Sequence, residues 1–355
     1  MRQQRMEAIF LVSPANIAYV CGFSAVPFER LIALVLPSDQ APRLIVPLLE
    51  VDAALEQTAD LVELVPWRDE DGPAHAVSRA LIGLKGAVGV EKSHLSISRG
   101  ELVTDSCPTA RLTDCDPLLS GLRATKDAKE IEFVRCAASI ADSVMVALQD
   151  EVRSGRSEKE LSEVCAALLR EAGSGPRSLP PTVLTGKKSG LPHGRADGTR
   201  LQEGDLLIID FGANVGGYWS DITRTCFVDV EPDSRQSELI SVIDEARRAA
   251  IARAVPGALC AEVDEAARSV IESAGLGECF SHRTGHGLGL EIHEAPFFHA
   301  TNRDPVRPGM VATIEPGVYI EGYGGVRIED DILIGEVGPE VLTTSPVSSG
   351  SQTRS

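Results

Sequence analysis

Residues 208–225, IIDFGANVGGYWSDITRT, and residues 313–331, TIEPGVYIEGYGGVRIEDD, each place two carboxylates symmetrically about a glycine-rich turn, Asp210 with Asp221 and Glu315 with Glu329. The centre of the first pair falls inside 213–217 and that of the second on Gly322. Apolar runs flank both turns, Leu206 to Ile209 before the first and Val326 to Ile328 after the second, so both segments are predicted as β-hairpins with loops longer than two residues. Residues opposed across an antiparallel pair share one face, with Cβ atoms about 4.5–5.5 Å apart. Two acids held that way repel unless one is protonated or a cation lies between them. A pair of divalent ions about 3.5–4 Å apart fits between two such carboxylate pairs. A lone acid on a strand is ordinarily a solvated outer-face residue. Asp210 instead follows an apolar run, and the pattern occurs twice with histidines upstream of each copy, which favours a metal centre.

The 355 residues, 43% of them hydrophobic, are enough for two domains with real cores. No run approaches the roughly 20 apolar residues of a membrane span, and the start MRQQRMEAIFLVSP leads into a strand-like segment without a secretory pattern. A soluble, cytoplasmic protein is expected. The eight cysteines are scattered without a CxxC pair, and Cys136 and Cys165 fall inside helical patterns, so they read as reduced thiols. A formal charge of −18 disfavours nucleic acid and anionic membranes as partners and otherwise serves solubility.

From about residue 8 to 118, short apolar runs (8–12, 31–36, 44–46, 61–65, 87–90) alternate with helical stretches near 50–57 and 74–84, the pattern of an α/β domain. A polar stretch from Asp114 to Lys126 reads as an irregular boundary, which divides the chain into an N-terminal domain over 1–120, a second domain over 121–346 and a disordered tail over 347–355. Asp127 with Glu130 and Ser157 with Glu160 cap two helices. Their buried stripes are Ile131, Val134, Ala138, Ala141, Met145 and Leu148, then Leu161, Val164, Cys165, Leu168 and Ala172. His193 and the first hairpin follow. The order then recurs at nearly the same spacing: helices over about 236–254 and 260–274, then His286, His293 and the second hairpin. The second domain is therefore expected to be an internal duplication, helix–helix–hairpin twice, with two carboxylates from each half.

The segments DFGA, SDITRT, GHGLG, IHEAP, IEPG and VRIEDD, in this order and spacing, resemble the pita-bread metallopeptidases, which include Xaa-Pro dipeptidases (prolidases), Xaa-Pro aminopeptidases and methionine aminopeptidases. The match spans roughly 120–345, and what precedes it resembles the creatinase-like N-terminal domain of the proline-specific branch, which methionine aminopeptidases generally lack. The resemblance implies an α/β N-terminal creatinase-like domain followed by an α+β pita-bread domain with an internal pseudo-two-fold. It implies that Asp210 binds one ion, that His286 and Glu315 bind the other, and that Asp221 and Glu329 bridge them. Two divalent ions per chain are implied, and an oxygen-rich set with one nitrogen suits Mn²⁺, with Co²⁺ or Zn²⁺ as alternatives. A hydroxide bridging the ions at neutral pH would attack the scissile carbonyl. His193 and His293 match positions that contact substrate and stabilise the intermediate, whereas His75, His94, His282 and His299 match nothing. Thr223 and Arg327 flank the bridging acids and either orient them or stabilise the sheet.

One departure bears on selectivity. Many prolidases carry Arg just after the HExP-like segment to hold the substrate carboxylate, and this chain has Phe297 there. Arg303, Arg30, Arg43 or a residue from a partner in a homodimer could substitute. The expected activity is hydrolysis of Xaa-Pro bonds, in dipeptides as a prolidase or at the N-terminus of longer peptides as an aminopeptidase. A creatinase-type enzyme works without the metal carboxylates, and a non-catalytic peptide-binding relative would typically lose ligands, so the filled positions count against both.

Overall fold

Alternation along the first strand, β1 (Met6–Leu11), sorts its side chains into two cores. Ala8 and Phe10 pack with Val77, Ala80 and Val103, while Ile9 and Leu11 pack with Ile17, Ala54 and Leu119, so helices cover both faces of the sheet. The computed structural model describes residues 6–176, 180–192 and 194–347. His193 and the expected disordered tail beyond 347 lie outside the described residues. The chain divides into two compact units, 1–122 and 123–355.

In the first unit β1, β2 (Ala33–Pro37), β3 (Arg43–Pro47), β4 (Glu63–Trp67), β5 (Ala87–Val90) and β6 (Arg111–Asp114) form a mixed sheet in the order β4-β3-β2-β1-β5-β6. Helices α1 (Pro14–Cys21), α2 (Val51–Thr58), α3 (Ala74–Ala80) and α4 (Ile97–Ser106) flank it. Ser13 caps α1 by accepting from the Asn16 N–H, and Pro14 suits its first turn. The stretch expected to be irregular contains a helix, α5 (Asp116–Ala124). Its short stripe of Leu118, Leu119 and Leu122 is helical in spacing, with Asp116 in the first turn and Arg123 in the last favouring the helix dipole, but polar flanks hide it.

The second unit is built twice. Helices α6 (Ala128–Gln149) and α7 (Glu158–Glu171) both start at reciprocal capping boxes, Asp127 with Glu130 and Ser157 with Glu160. They pack Ala137, Ala141, Leu148, Leu161, Cys165 and Leu169 on a three-stranded sheet of β7 (Thr182–Thr185), β8 (Leu206–Phe211) and β11 (Ile222–Phe227). Leu169, not Ala172, completes the α7 stripe; Ala172 is the exposed cap residue before Gly173 turns left-handed. Helices α8 (Ser234–Arg253) and α9 (Cys260–Ser273) pack Ile243, Ala246, Val263, Ala267 and Ile271 against the second half. There β12 (Gly285–Gly287), β13 (Glu294–Phe298), β14 (Val311–Ile314), β17 (Asp330–Ile334) and β18 (Pro339–Val341) run in the order β13-β12-β14-β17-β18. The described cysteines are all free thiols. No helix among the described residues is long and apolar enough to cross a membrane.

Candidate metal centre

The first hairpin is shifted from the symmetric register. Strand β8 pairs with β11 so that Asp210 faces Thr223, not Asp221. The turn is the cause. A second ladder, β9 (Asn214–Val215) with β10 (Tyr218–Trp219), closes on Gly216 and Gly217, whose φ values of 59° and 90° permit a two-residue loop shorter than expected. The shift is an even number of residues, so Asp221, two before Thr223, keeps the face of Asp210.

The second hairpin keeps its expected register. Ile314 pairs with Asp330 in the β14–β17 ladder, and Gly317 pairs with Arg327 where β15 (Gly317–Ile320) meets β16 (Gly324–Arg327). Glu315 and Glu329 therefore face each other in the gap between two ladders, where their N–H groups donate instead to the Thr284 carbonyl at 2.8 Å and the Thr223 carbonyl at 3.1 Å. An isolated bridge from Thr223 to Glu329 joins the hairpins.

His286 lies on β12 between two glycines that the packing requires. A Cβ at Gly285 would stand 2.0 Å from the Thr313 carbonyl oxygen, and one at Gly287 would stand 2.2 Å from that of Ala295. The imidazole Nδ1 is 3.1 Å from the Gly287 carbonyl, which leaves Nε2 facing carboxylates, 3.3 Å from Glu315 Oε1 and 3.9 Å from Asp221 Oδ2. Burial, then the neighbouring His293, push His286 down to about 3, so the ring is a neutral donor.

Three overlapping groups have ligand atoms within 4.8 Å of one another: Asp210, Asp221 and Glu329; His286, Glu315 and Glu329; and Asp221, His286 and His293. The structure thus brings together Asp210, Asp221, His286, Glu315 and Glu329, and adds His293, whose ring centroid is 4.0 Å from that of His286. Burial pushes Glu315 up to about 7, against the pull of Arg327. Burial holds Asp221 and Glu329 well above the usual carboxylate range, reinforced by the charge of Asp210 at the first and of Asp221 at the second. Glu329 Oε1 is buried without a hydrogen-bond partner, a state that ordinarily costs about 1–3 kcal/mol. An orphaned carboxylate oxygen, a ring nitrogen aimed at acids and a cluster of carboxyls resisting ionisation fit divalent cations.

The surroundings fix these side chains. Thr223 Oγ1 donates to Glu329 Oε2 at 2.6 Å, which commits one carboxylate oxygen and leaves the other. Arg327, buried, donates to Asp210 Oδ2, to Thr223 Oγ1 at 3.0 Å and to Tyr319 Oη at 2.8 Å. Arg224 donates to the Glu329 carbonyl at 2.6 Å and to Asp330 at 2.7 Å. Asp331 accepts the Asp221 N–H at 3.2 Å. Glu294, next to His293, is held by Lys126 at 2.8 Å and by Arg123.

Tyr319 Oη also lies 3.0 Å from His282 Nε2, so His282, Tyr319, Arg327 and Asp210 form one chain of hydrogen bonds. His282 read as ordinary from sequence. Its offset of four residues before His286, matched by Tyr319 four after Glu315, is the only trace of this link in the sequence.

A duplicated helix-pair-and-hairpin unit that converges carboxylates and an imidazole on one point has the architecture of a metal-dependent hydrolase. Residues 132–336 match metallopeptidase family M24, and residues 1–125 match the Creatinase/Prolidase N-terminal domain. The chain belongs to metallopeptidase family M24. It is 35% identical over 343 residues to the Xaa-Pro dipeptidase of Pyrococcus horikoshii, covering 97% of this chain and 94% of that protein. The crystal structure of the prolidase from Pyrococcus horikoshii superposes with a TM-score of 0.89 at 33% identity, covering 98% of this chain and 96% of that one. The X-Pro aminopeptidase from Thermotoga maritima superposes with a TM-score of 0.89 at 29% identity, covering 98% and 96%.

Proposed function

We propose that this metallopeptidase is an Xaa-Pro dipeptidase whose centre holds two divalent ions. The observation that carries the reading is the convergence of Asp210, Asp221, His286, Glu315 and Glu329 around a buried carboxylate oxygen that no protein donor satisfies. Asp210 would hold one ion, His286 Nε2 and Glu315 the other, with Asp221 and Glu329 shared between them. The oxygen-rich donor set favours Mn²⁺, with Co²⁺ and Zn²⁺ as competitors. When bound, such ions supply Lewis-acid polarisation of the peptide carbonyl and ionise water at neutral pH.

The chain's own residues set the geometry. Arg327 neutralises and aims Asp210, with Tyr319 and His282 fixing the guanidinium in turn. Thr223 turns Glu329 so that Oε1 is presented to the centre. His293 lies at the exposed edge of the cluster, where it can donate to the carbonyl oxygen of a bound peptide. His193, outside the described residues, is assigned the matching substrate contact from its place in the family pattern. The protein is taken to act as a homodimer, as the resemblance implies, and in the cytoplasm, as its sequence pattern suggests.

Similarity to dipeptidases supports dipeptides as substrates. A second reading, Xaa-Pro aminopeptidase, draws on the likeness to the Thermotoga maritima enzyme and on Phe297 standing where prolidases carry Arg. Turnover of Ala-Pro against Ala-Pro-Ala with Mn²⁺, Co²⁺ or Zn²⁺ separates them: the dipeptide is the better substrate of a prolidase, and turnover of the tripeptide alone selects the aminopeptidase. Cleavage of neither with any of these metals overturns both.

A further inference from the structure

Phe297 faces His286 in the β12–β13 ladder, so its ring lies on the same side of the sheet as the imidazole. The guanidinium carbon of Arg283 sits 4.6 Å from the centre of that ring. A cation–ring contact spends none of the five N–H donors of arginine, and no carboxylate among the described residues pairs with this one. The positive charge of Arg283 is felt at both His286 and Glu315, which puts its field on the cluster. Arg327, the other cation acting there, is committed to Asp210, Thr223 and Tyr319. Of the substitutes suggested by sequence, Arg30 is paired with Asp69 and Glu29, and Arg303 is exposed.

We infer that Arg283, seated on the Phe297 ring at the edge of the cluster, binds the terminal carboxylate of a dipeptide substrate. The inference rests on the Xaa-Pro reading above and explains how dipeptide selectivity survives the loss of Arg at 297. The planar fork of a guanidinium matches a carboxylate in a bidentate pair, and an aromatic floor fixes the fork in one plane, which an ammonium on the same stem could not reproduce. Phe297 thus holds the charge in place instead of supplying it.

The test compares the Mn²⁺-loaded full chain with Arg283→Met and Arg283→Lys on Ala-Pro and on its C-terminal amide, which lacks the negative charge. The wild type prefers the free acid. Arg283→Met lowers the ratio of kcat/KM for acid over amide by about 100-fold, carried mainly by KM for the acid, and Arg283→Lys lowers it less. Free L-proline raises the Tm of the wild type and not that of Arg283→Met, a readout independent of turnover. An acid-to-amide ratio unchanged in Arg283→Met, or equal losses on both substrates, overturns the assignment and leaves the Xaa-Pro reading standing. A wild type that cleaves Ala-Pro and its amide equally well also overturns it. A wild type inactive on both overturns the Xaa-Pro reading, and this inference with it.

Discussion

Thr223 is tied to Glu329 twice: its hydroxyl donates to Oε2 at 2.6 Å, and its carbonyl accepts the Glu329 N–H at 3.1 Å. Through this pair one hairpin sets the carboxylate of the other, so the two halves of the unit share a single centre. Thr223→Val keeps the shape and removes the donor. Metal affinity is expected to fall about 10–100-fold, read from a Mn²⁺ titration by calorimetry, with the fold unchanged by circular dichroism. Unchanged affinity would reduce the contact to a feature of the sheet.

Arg327→Met leaves Asp210 without its cation and Tyr319 without a donor. Activity is expected to fall more than about 100-fold, and Tyr319→Phe, which loses the phenolic oxygen between Arg327 and His282 but leaves Arg327 on Asp210, by about 10-fold. If Tyr319→Phe proves the more damaging, the hydrogen-bond chain does not act through Arg327.

Acidity gives a signed prediction for the metal-free protein. Burial raises Glu315 from 4.5 to about 7, with Asp221 and Glu329 raised as well. The native state keeps these protons where the unfolded chain has released them, so stability falls as pH rises through this window. His286, lowered from 6.5 to about 3, acts in the opposite sense and costs stability only below 6.5. Between about pH 6.5 and 8 the carboxyls act alone, so the Tm of chelated protein drops with rising pH and saturating Mn²⁺ abolishes the slope. Mn²⁺ binding near pH 6.5 releases protons, seen as a dependence of the binding heat on buffer ionisation enthalpy. Binding without proton release would show that the carboxyls are already ionised.

Leu169 is buried in the core beneath α7, whereas Ala172 is exposed. Leu169→Ala is expected to cost about 2–5 kcal/mol in denaturant unfolding, and Ala172→Ser less than about 0.5 kcal/mol. Equal effects would place the stripe of α7 where the sequence pattern alone put it.

Much of the candidate site's grouping was legible because symmetric acids about glycine turns are a period-two pattern, and such a pattern survives an error of two residues. Asp210 faces Thr223 instead of Asp221, yet the acids still share a face. The capping boxes at Asp127 and Ser157 were legible for a local reason, since both partners lie within one turn. Helix α5 was not, because its stripe spans little more than one turn between polar flanks. The links from His282 to Tyr319 and from Arg283 to Phe297 were hidden too, since each joins segments whose approach is set by sheet pairing and not by spacing.

Asp221 and Glu329 are each within reach of both halves of the cluster, so the account turns on shared ligation by these two acids. An anomalous difference map from Mn²⁺-soaked crystals tests this most directly. Wild-type protein is predicted to show two peaks about 3.5–4 Å apart between the carboxylates, and Asp221→Ala to lose both along with turnover. An empty map in the wild type, or an Asp221→Ala variant that keeps both peaks and normal turnover, would contradict it.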